Sequence, residues 1–322
     1  MNSIKIGILG TSEIAFRRFL PALAQCPAFT YVGVASRTPE KGKPFVDAYG
    51  GAIYDGYDAL LADESIAAVY LPLPPALHCE WGRKVLEAGK HLLMEKPFTT
   101  SAADTAALLA LAAEKGLAVH ENYMFLHHSQ LVWLTEQVQA GRIGALRLIR
   151  VAFGFPKRGE MDFRYNKALG GGALLDCGGY SVRLAAQLLG ETARVTAARL
   201  NQPAEYEVDV YGSATLENEA GQVAQISFGM DNSYKCELEI WGSTGCLTAD
   251  RIFTAPAGFA PVMILRTPQG TEEITLPADN SFLNSIRGFE GAIKTSVLRV
   301  EQRAAIQRQA VLTQQLAALG QG

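Results

Sequence analysis

The run Met94-Glu95-Lys96-Pro97 follows the apolar residues Leu92 and Leu93 and puts a lysine at the end of what reads as a buried strand. A lysine ammonium there can donate a proton to a carbonyl oxygen while a reduced nicotinamide delivers hydride to the carbon. Much further along, the glycine-rich stretch Gly170-Gly171-Gly172 runs into Asp176 and Tyr180. The glycines permit a close approach of backbone to a ligand. Asp176 and Tyr180 are spaced i and i+4, so on a regular helix they share a face. A tyrosine hydroxyl near a lysine ammonium adds a second donor to a developing alkoxide. Plainer readings stand beside these: a core tyrosine with a satisfied hydroxyl for Tyr180, and a helix N-cap for Asp176.

A third constellation is the turn Gly10-Thr11-Ser12-Glu13-Ile14-Ala15, between an apolar run at 4–9 and a helical pattern with Ile14, Phe19, Leu20 and Leu23. It is a G-x-G-x-x-A dinucleotide fingerprint with serine in the second glycine position. The first glycine allows a tight turn, the small third residue lets helix and strand pack, and free N–H groups at the helix start attract a pyrophosphate. Gly10, Thr11, Ser12, Glu13 and Ile14 are the expected cradle, and the Ser12 hydroxyl is small enough to bond a phosphate. After the second strand, Tyr31 to Ala35, Ser36-Arg37 stands where NAD enzymes carry an acid for the adenosine ribose, with Lys41 and Lys43 close behind. A hydroxyl and a guanidinium suit a 2′-phosphate, which a carboxylate would repel, so NADP(H) is favoured over NAD. The alternative is a surface arginine that only stacks on adenine.

The elements that would position these groups alternate, strand then helix, up to about residue 125, which implies right-handed βαβ units and a parallel sheet. Such sheets bind ligands at the carboxyl ends of their strands. Later strands alternate apolar and polar residues. In Val208 to Leu216 one face is Val, Val, Gly, Ala, Leu and the other Asp, Tyr, Ser, Thr, a half-covered and largely antiparallel pattern. Helical segments at 282–294 and 301–319 close the chain. The expected fold is therefore α/β, with a doubly wound Rossmann domain over 1–124. An α+β domain over 125–322, with a large, mostly antiparallel open sheet, would hold the substrate. The broad apolar face of that sheet suggests a homodimer or homotetramer.

Composition narrows the function. The 322 residues are 48% hydrophobic and 19% charged with a net charge of −3, and no Arg/Lys tract offers a nucleic acid a local footprint. The five cysteines are scattered without a C-x-x-C pair, which suggests neither zinc nor a disulfide framework. His127 and His128 are adjacent and so point to different faces; no metal is expected. The start Met-Asn-Ser-Ile-Lys-Ile-Gly lacks a basic stretch followed by an apolar one, and no apolar run nears the roughly 20 residues of a membrane helix. A cytoplasmic location without membrane contact is the expectation.

The fingerprint, Leu73-Pro74-Pro75-Ala76-Leu77-His78, Glu95-Lys96-Pro97, Glu121-Asn122-Tyr123 and the segment from Gly170 to Tyr180 together resemble the Gfo/Idh/MocA family of oxidoreductases, over essentially the whole length. The resemblance implies that Lys96 transfers the proton and that the Lys96–Pro97 bond is cis. It also implies that Leu73, Pro75, His78, Glu95 and Asn122 line the ribose and nicotinamide of the cofactor. Tyr180 stands where many members have histidine, which points away from inositol-type dehydrogenation. More narrowly, Tyr70 to His78, Glu121 to His128, Asp162-Phe163-Arg164-Tyr165 and Leu238 to Gly242 are similar to nucleotide-sugar 3-ketoreductases of deoxysugar biosynthesis. By that similarity Arg164 sits beside the cofactor, and the reaction is NADPH-dependent reduction of a thymidine diphosphate-linked 3-keto deoxysugar. Lys157, Arg158, Lys167 and Lys235 are candidate cations for the diphosphate. The alternatives are an NAD(P)-dependent dehydrogenase of a free sugar, polyol or dihydrodiol, and a non-catalytic dinucleotide-binding sensor.

Overall fold

The computed structural model describes residues 3–159 and 161–321. The chain divides into two units, Met1–Asn122 with Phe282–Ala310, and Tyr123–Ser281 with Val311–Gly322. The expected division at 124/125 therefore needs correcting at 282–310, which belong to the first unit. The cause is apolar burial: Ile286, Phe289 and Ala292 share a core with Ile6, Phe19 and Phe29, and the Phe289 ring stacks on Phe29 with centroids 5.9 Å apart.

In the first unit, β1 (Ile4–Leu9), β2 (Phe29–Ser36), β3 (Ala52–Asp55), β4 (Ala68–Leu71), β5 (His91–Met94) and β6 (Val119–Glu121) form one parallel sheet of order β3-β2-β1-β4-β5-β6. Between them run α1 (Leu20–Leu23), α2 (Lys43–Tyr49), α3 (Tyr57–Ala62), α4 (His78–Glu87) and α5 (Ala102–Glu114). The inner strands are near-continuous apolar runs because both faces are covered, whereas β3 at the edge is largely exposed. Ile6, Ile8, Tyr70 and Leu93 enter one core, while Leu9, Val69, Leu71, Leu92 and Met94 enter another. Since β1 has β2 on one side and β4 on the other, the winding reverses there, and ligand crevices form at such a point. The turn at Gly10 and the loops after β4 and β5 all leave from that carboxyl edge.

The second unit contains α6 (Ser129–Gln139), β7 (Leu146–Gly154), α7 (Gly179–Leu189), β8 (Arg194–Asn201), β9 (Tyr211–Glu217), β10 (Val223–Gly229), β11 (Lys235–Gly242), β12 (Cys246–Asp250), β13 (Val262–Thr267) and β14 (Gly270–Thr275). Its sheet has the order β14-β13-β12-β11-β7-β10-β9-β8 and is antiparallel except for the pair β7–β10. The alternation from Val208 holds in burial, yet β9 starts only at Tyr211. The apolar face, from which the sequence reading argued association, is covered by the unit's own α7. Val182, Leu184 and Ala185 of α7 join Val151, Leu216, Ile226 and Leu238 in one core. The opposite face is polar, with Arg150 and Glu239 paired at 3.1 Å among serines and threonines. α8 (Ser281–Lys294) and α9 (Ser296–Gly320) end the chain, α9 starting ahead of the expected Glu301.

Candidate active site

Lys96 follows β5 and is half-buried, and the Lys96–Pro97 peptide is cis, as the resemblance implied. Its neighbour Glu95 lies at the centre of a polar cluster. Tyr70 donates its hydroxyl to Glu95 Oε1 at 2.7 Å, and Asn122 Nδ2 donates to the same oxygen at 2.6 Å. Burial raises the Glu95 carboxyl above its ordinary value, opposed by these two donors and by the Lys96 charge. Beyond the cis bond, Phe98 N–H donates to Glu121 Oε1 at 2.7 Å, which braces the segment carrying Lys96.

His78 is fully buried, with Nδ1 2.7 Å from the Pro97 carbonyl and Nε2 2.8 Å from the Leu73 carbonyl. Both ring nitrogens are thus committed to backbone. The two carbonyls favour a charged ring, but burial outweighs them and lowers its pKa. A neutral ring donates to one carbonyl only. His78, which the resemblance places at the cofactor, thus bonds the loops on either side of it. Asn122 bonds Glu95 and Ser285, and Pro75 is buried as well. These residues fix the loops after β4 and β5 from behind, whereas Leu73 is half-buried.

Gly10 has φ +104, and a Cβ there would meet Leu73 Cδ2 at 2.7 Å, so only glycine makes this turn. Ser12 Oγ accepts from Ala15 N–H at 3.2 Å and caps the helical turn, which leaves its O–H as a donor. Thr11 and Ile14 are half-buried, and Glu13 is exposed and paired with Arg17 at 2.9 Å. At the end of β2, Ser36 is buried and accepts from Thr38 N–H at 3.2 Å, while Arg37 and Lys41 are exposed. Backbone N–H groups at a glycine turn and cations beyond β2 fit a dinucleotide with a 2′-phosphate.

In the second unit, Arg164 donates from Nε to Asp176 Oδ2 at 2.8 Å and from Nη1 to Asp162 Oδ1 at 3.1 Å. Burial opposes the Arg164 charge, but the two carboxylates outweigh it and hold its pKa above the ordinary value. Asp176 is not a helix cap. It lies inside a π-helical turn, Leu174–Gly178, that precedes α7. The glycines let the protein's own chain pack closely here. A Cβ on Gly171 would lie 2.3 Å from the Arg164 carbonyl oxygen, and one on Gly172, with φ +122, 2.5 Å from Asp209 Oδ1. Asp209 in turn accepts from Leu174 N–H at 2.7 Å. Tyr180 is half-buried with its ring edge-on to Tyr123 at 5.1 Å and Phe153 at 5.3 Å, and near Phe253 at 5.5 Å. Of the proposed phosphate cations, Lys157 lies over Tyr206, Arg158 over Phe155, and Lys235 pairs with Glu237.

The structure thus gathers Glu95, Asn122 and His78 around the Lys96 segment in one unit, and Arg164 with Asp176 in the other. Sequence reading missed Tyr70, Glu121 and Ser285 as members of the first cluster. For Tyr70, the signal was a polar ring inside an otherwise apolar strand.

Comparison with known proteins matches two family models. Residues 4–123 match an oxidoreductase family with an NAD-binding Rossmann fold, and residues 132–248 the Gfo/Idh/MocA C-terminal domain. The chain is 44% identical over 295 residues to a dTDP-3,4-didehydro-2,6-dideoxy-α-D-glucose 3-reductase of Streptomyces violaceoruber, covering 91% of this chain and 86% of that protein. It superimposes with TM-score 0.95 and 39% identity on the crystal structure of a 3-ketoreductase from Actinomadura kijaniata in complex with NADP and TDP-benzene, covering 98% of both chains. It is 31% identical over 291 residues to an NADP⁺ D-xylose 1-dehydrogenase of Haloferax volcanii, covering 90% of this chain and 89% of that one.

Proposed function

Since the chain belongs to the Gfo/Idh/MocA family of oxidoreductases, we propose that it reduces the C3 ketone of a thymidine diphosphate-linked deoxysugar, with NADPH as reductant. The observation that carries this is Lys96, half-buried at the carboxyl end of β5, beside a Glu95 carboxylate fixed by Tyr70 and Asn122. The likeness to 3-ketoreductases over most of the chain supports the substrate class. Bound NADPH supplies hydride to the ketone carbon. The Lys96 ammonium polarises the oxygen and gives it a proton, so the C=O bond becomes CH–OH. Tyr180 donates to the same oxygen and orients the sugar, and Asp176 holds Arg164 for the cofactor side of the site. Arg37, Ser36 and Lys41 take the 2′-phosphate. Relatives solved with one lysine or one tyrosine replaced lend support to these two residue types.

A second reading, an NADP-dependent dehydrogenase of a free sugar, is favoured by the likeness to the xylose enzyme. Among the described residues no helix is long and apolar enough to cross a membrane. The five free cysteines support a reducing cytoplasm, and the open face of the second sheet, where Trp241 and Val262 are exposed among the polar side chains, supports a homodimer or homotetramer.

The test is a thermal-shift panel followed by turnover, because a ligand that binds only the native state raises its melting temperature. NADPH and, on top of it, thymidine diphosphate should each stabilise the protein, and a 3-keto thymidine diphosphate sugar should be reduced. Stabilisation by NADPH but by no nucleoside diphosphate, with efficient oxidation of free sugars, would replace this reading by the second.

A further inference from the structure

Behind the Lys96 segment a line of buried polar groups runs from α8 to Glu95. Ser285 is 1% exposed; its hydroxyl donates to Asn122 Oδ1 at 2.8 Å and lies 2.9 Å from His120 Nε2. Asn122, itself buried, passes the line on through Nδ2 to Glu95 Oε1 at 2.6 Å. With Glu95 ionised, only one arrangement of protons satisfies it. A hydroxyl has a single proton, and an amide oxygen can only accept. With the Ser285 proton on Asn122 Oδ1, the serine lone pairs face His120, whose Nε2 then carries hydrogen. The Asn122 amide is thereby turned so that its N–H, not its oxygen, meets the carboxylate. A flipped amide would set two acceptors against each other at 2.6 Å and turn its nitrogen towards the serine.

We propose that Ser285 is a positioning residue for the reducing site: by fixing the Asn122 amide it fixes Glu95, and with it the placing of the Lys96 ammonium one residue on. The inference rests on the reaction proposed above. It also adds to it, because α8 lies more than 160 residues beyond Asn122 in the chain, the separation of the pair being 163. Ser285 acts through Asn122 and makes no bond to Lys96 itself.

The experiment compares Ser285→Ala with Ser285→Thr in the full-length enzyme, measuring kcat, KM for each substrate, the dissociation constant for NADPH and the melting temperature. Ser285→Ala should lower kcat about tenfold, within the range that small misplacements of catalytic groups cost. NADPH affinity should stay unchanged, and the threonine hydroxyl should recover most of the rate. Alanine turnover equal to wild type overturns the proposal. So does an equal loss in alanine and threonine, or a joint fall of kcat, NADPH affinity and melting temperature, since each marks a merely structural serine. Should the alanine variant fail to fold, Ser285→Cys keeps the volume with a weak donor and takes its place under the same criteria. If the wild-type enzyme turns over a free sugar instead of the nucleotide sugar, the function reading fails while this comparison is run on that sugar, because Lys96 must be placed for either direction.

Discussion

Replacing Tyr70 by phenylalanine tests whether Glu95 is held charged inside the first unit. Tyr70 is fully buried, its ring stacks on Phe19 with centroids 3.8 Å apart, and its hydroxyl lies 2.7 Å from Glu95 Oε1. Phenylalanine keeps the ring and the stack and removes only the donor. A hydrogen bond to a charged group contributes about 1.5–3 kcal/mol, against about 0.5–1.5 kcal/mol between neutral groups. Burial raises the Glu95 carboxyl above its ordinary value of 4.5, so the folded protein holds this proton over a range where the unfolded chain has released it. The stability this contributes is complete below the unfolded value and is lost as pH rises through the folded one. Tyr70 limits that loss by bonding the charged form. Tyr70→Phe should therefore cost about 2–3 kcal/mol near pH 8 and only about 1 kcal/mol near pH 3, below the unfolded value, where the carboxyl is neutral in both states. Urea unfolding at the two pH values, with the slope m unchanged, reads both numbers. An equal loss at both, or no loss at either, refutes a charged Glu95 held by Tyr70.

Arg37→Asp should weaken NADPH binding about tenfold to a hundredfold and leave NADH binding little changed, the loss of one charge-assisted contact plus the new repulsion. Fluorescence titration measures both, and unaltered NADPH affinity would show that Arg37 does not meet the 2′-phosphate. His78→Ala should cost about 2–4 kcal/mol in urea unfolding, because it leaves a cavity and strips the Pro97 and Leu73 carbonyls of their ring contacts. A loss under about 0.5 kcal/mol would mean that water replaces the ring.

The parallel sheet was legible because a strand covered on both faces writes a continuous apolar run, as Leu92-Leu93-Met94 does. The second sheet was legible through its period of two, with Gly212, Ala214 and Leu216 buried and Tyr211 and Ser213 exposed. The helix at 281–294 could also be read, but not its unit. Its apolar stripe of Ile286, Phe289 and Ala292 suits any core, and the choice is made by Ile6 and Phe29, more than 250 residues earlier, the separation of Phe29 and Phe289 alone being 260. Lys96 was legible because its strand and its proline both point to it. Polar partners were not. Serine, histidine and asparagine bond equally well to backbone, solvent or ligand, so the residue types did not reveal that Ser12 caps its own turn or that His78 braces two loop carbonyls.

The hardest feature to foresee was the local winding at both glycine-rich loops. Each leads into a five-residue π turn, Ala15–Phe19 in the first unit and Leu174–Gly178 in the second. A π turn bonds i to i+5 and inserts one residue into the helical count. No residue type encodes that insertion, so the spacing of Asp176 and Tyr180 suggested one shared face when the count had already slipped between them. The result is a division of labour. Asp176 turns to Arg164 at 2.8 Å, while the half-buried Tyr180 enters a box of Tyr123, Phe125, Phe153 and Phe253 that restrains its ring, with its hydroxyl 4.0 Å from Met124 Sδ. A regular helix would have set a carboxylate beside the tyrosine hydroxyl as a competing acceptor. The proposed donor role of Tyr180 therefore asks its hydroxyl to exchange the contact with Met124 Sδ, 4.0 Å away, for a substrate oxygen.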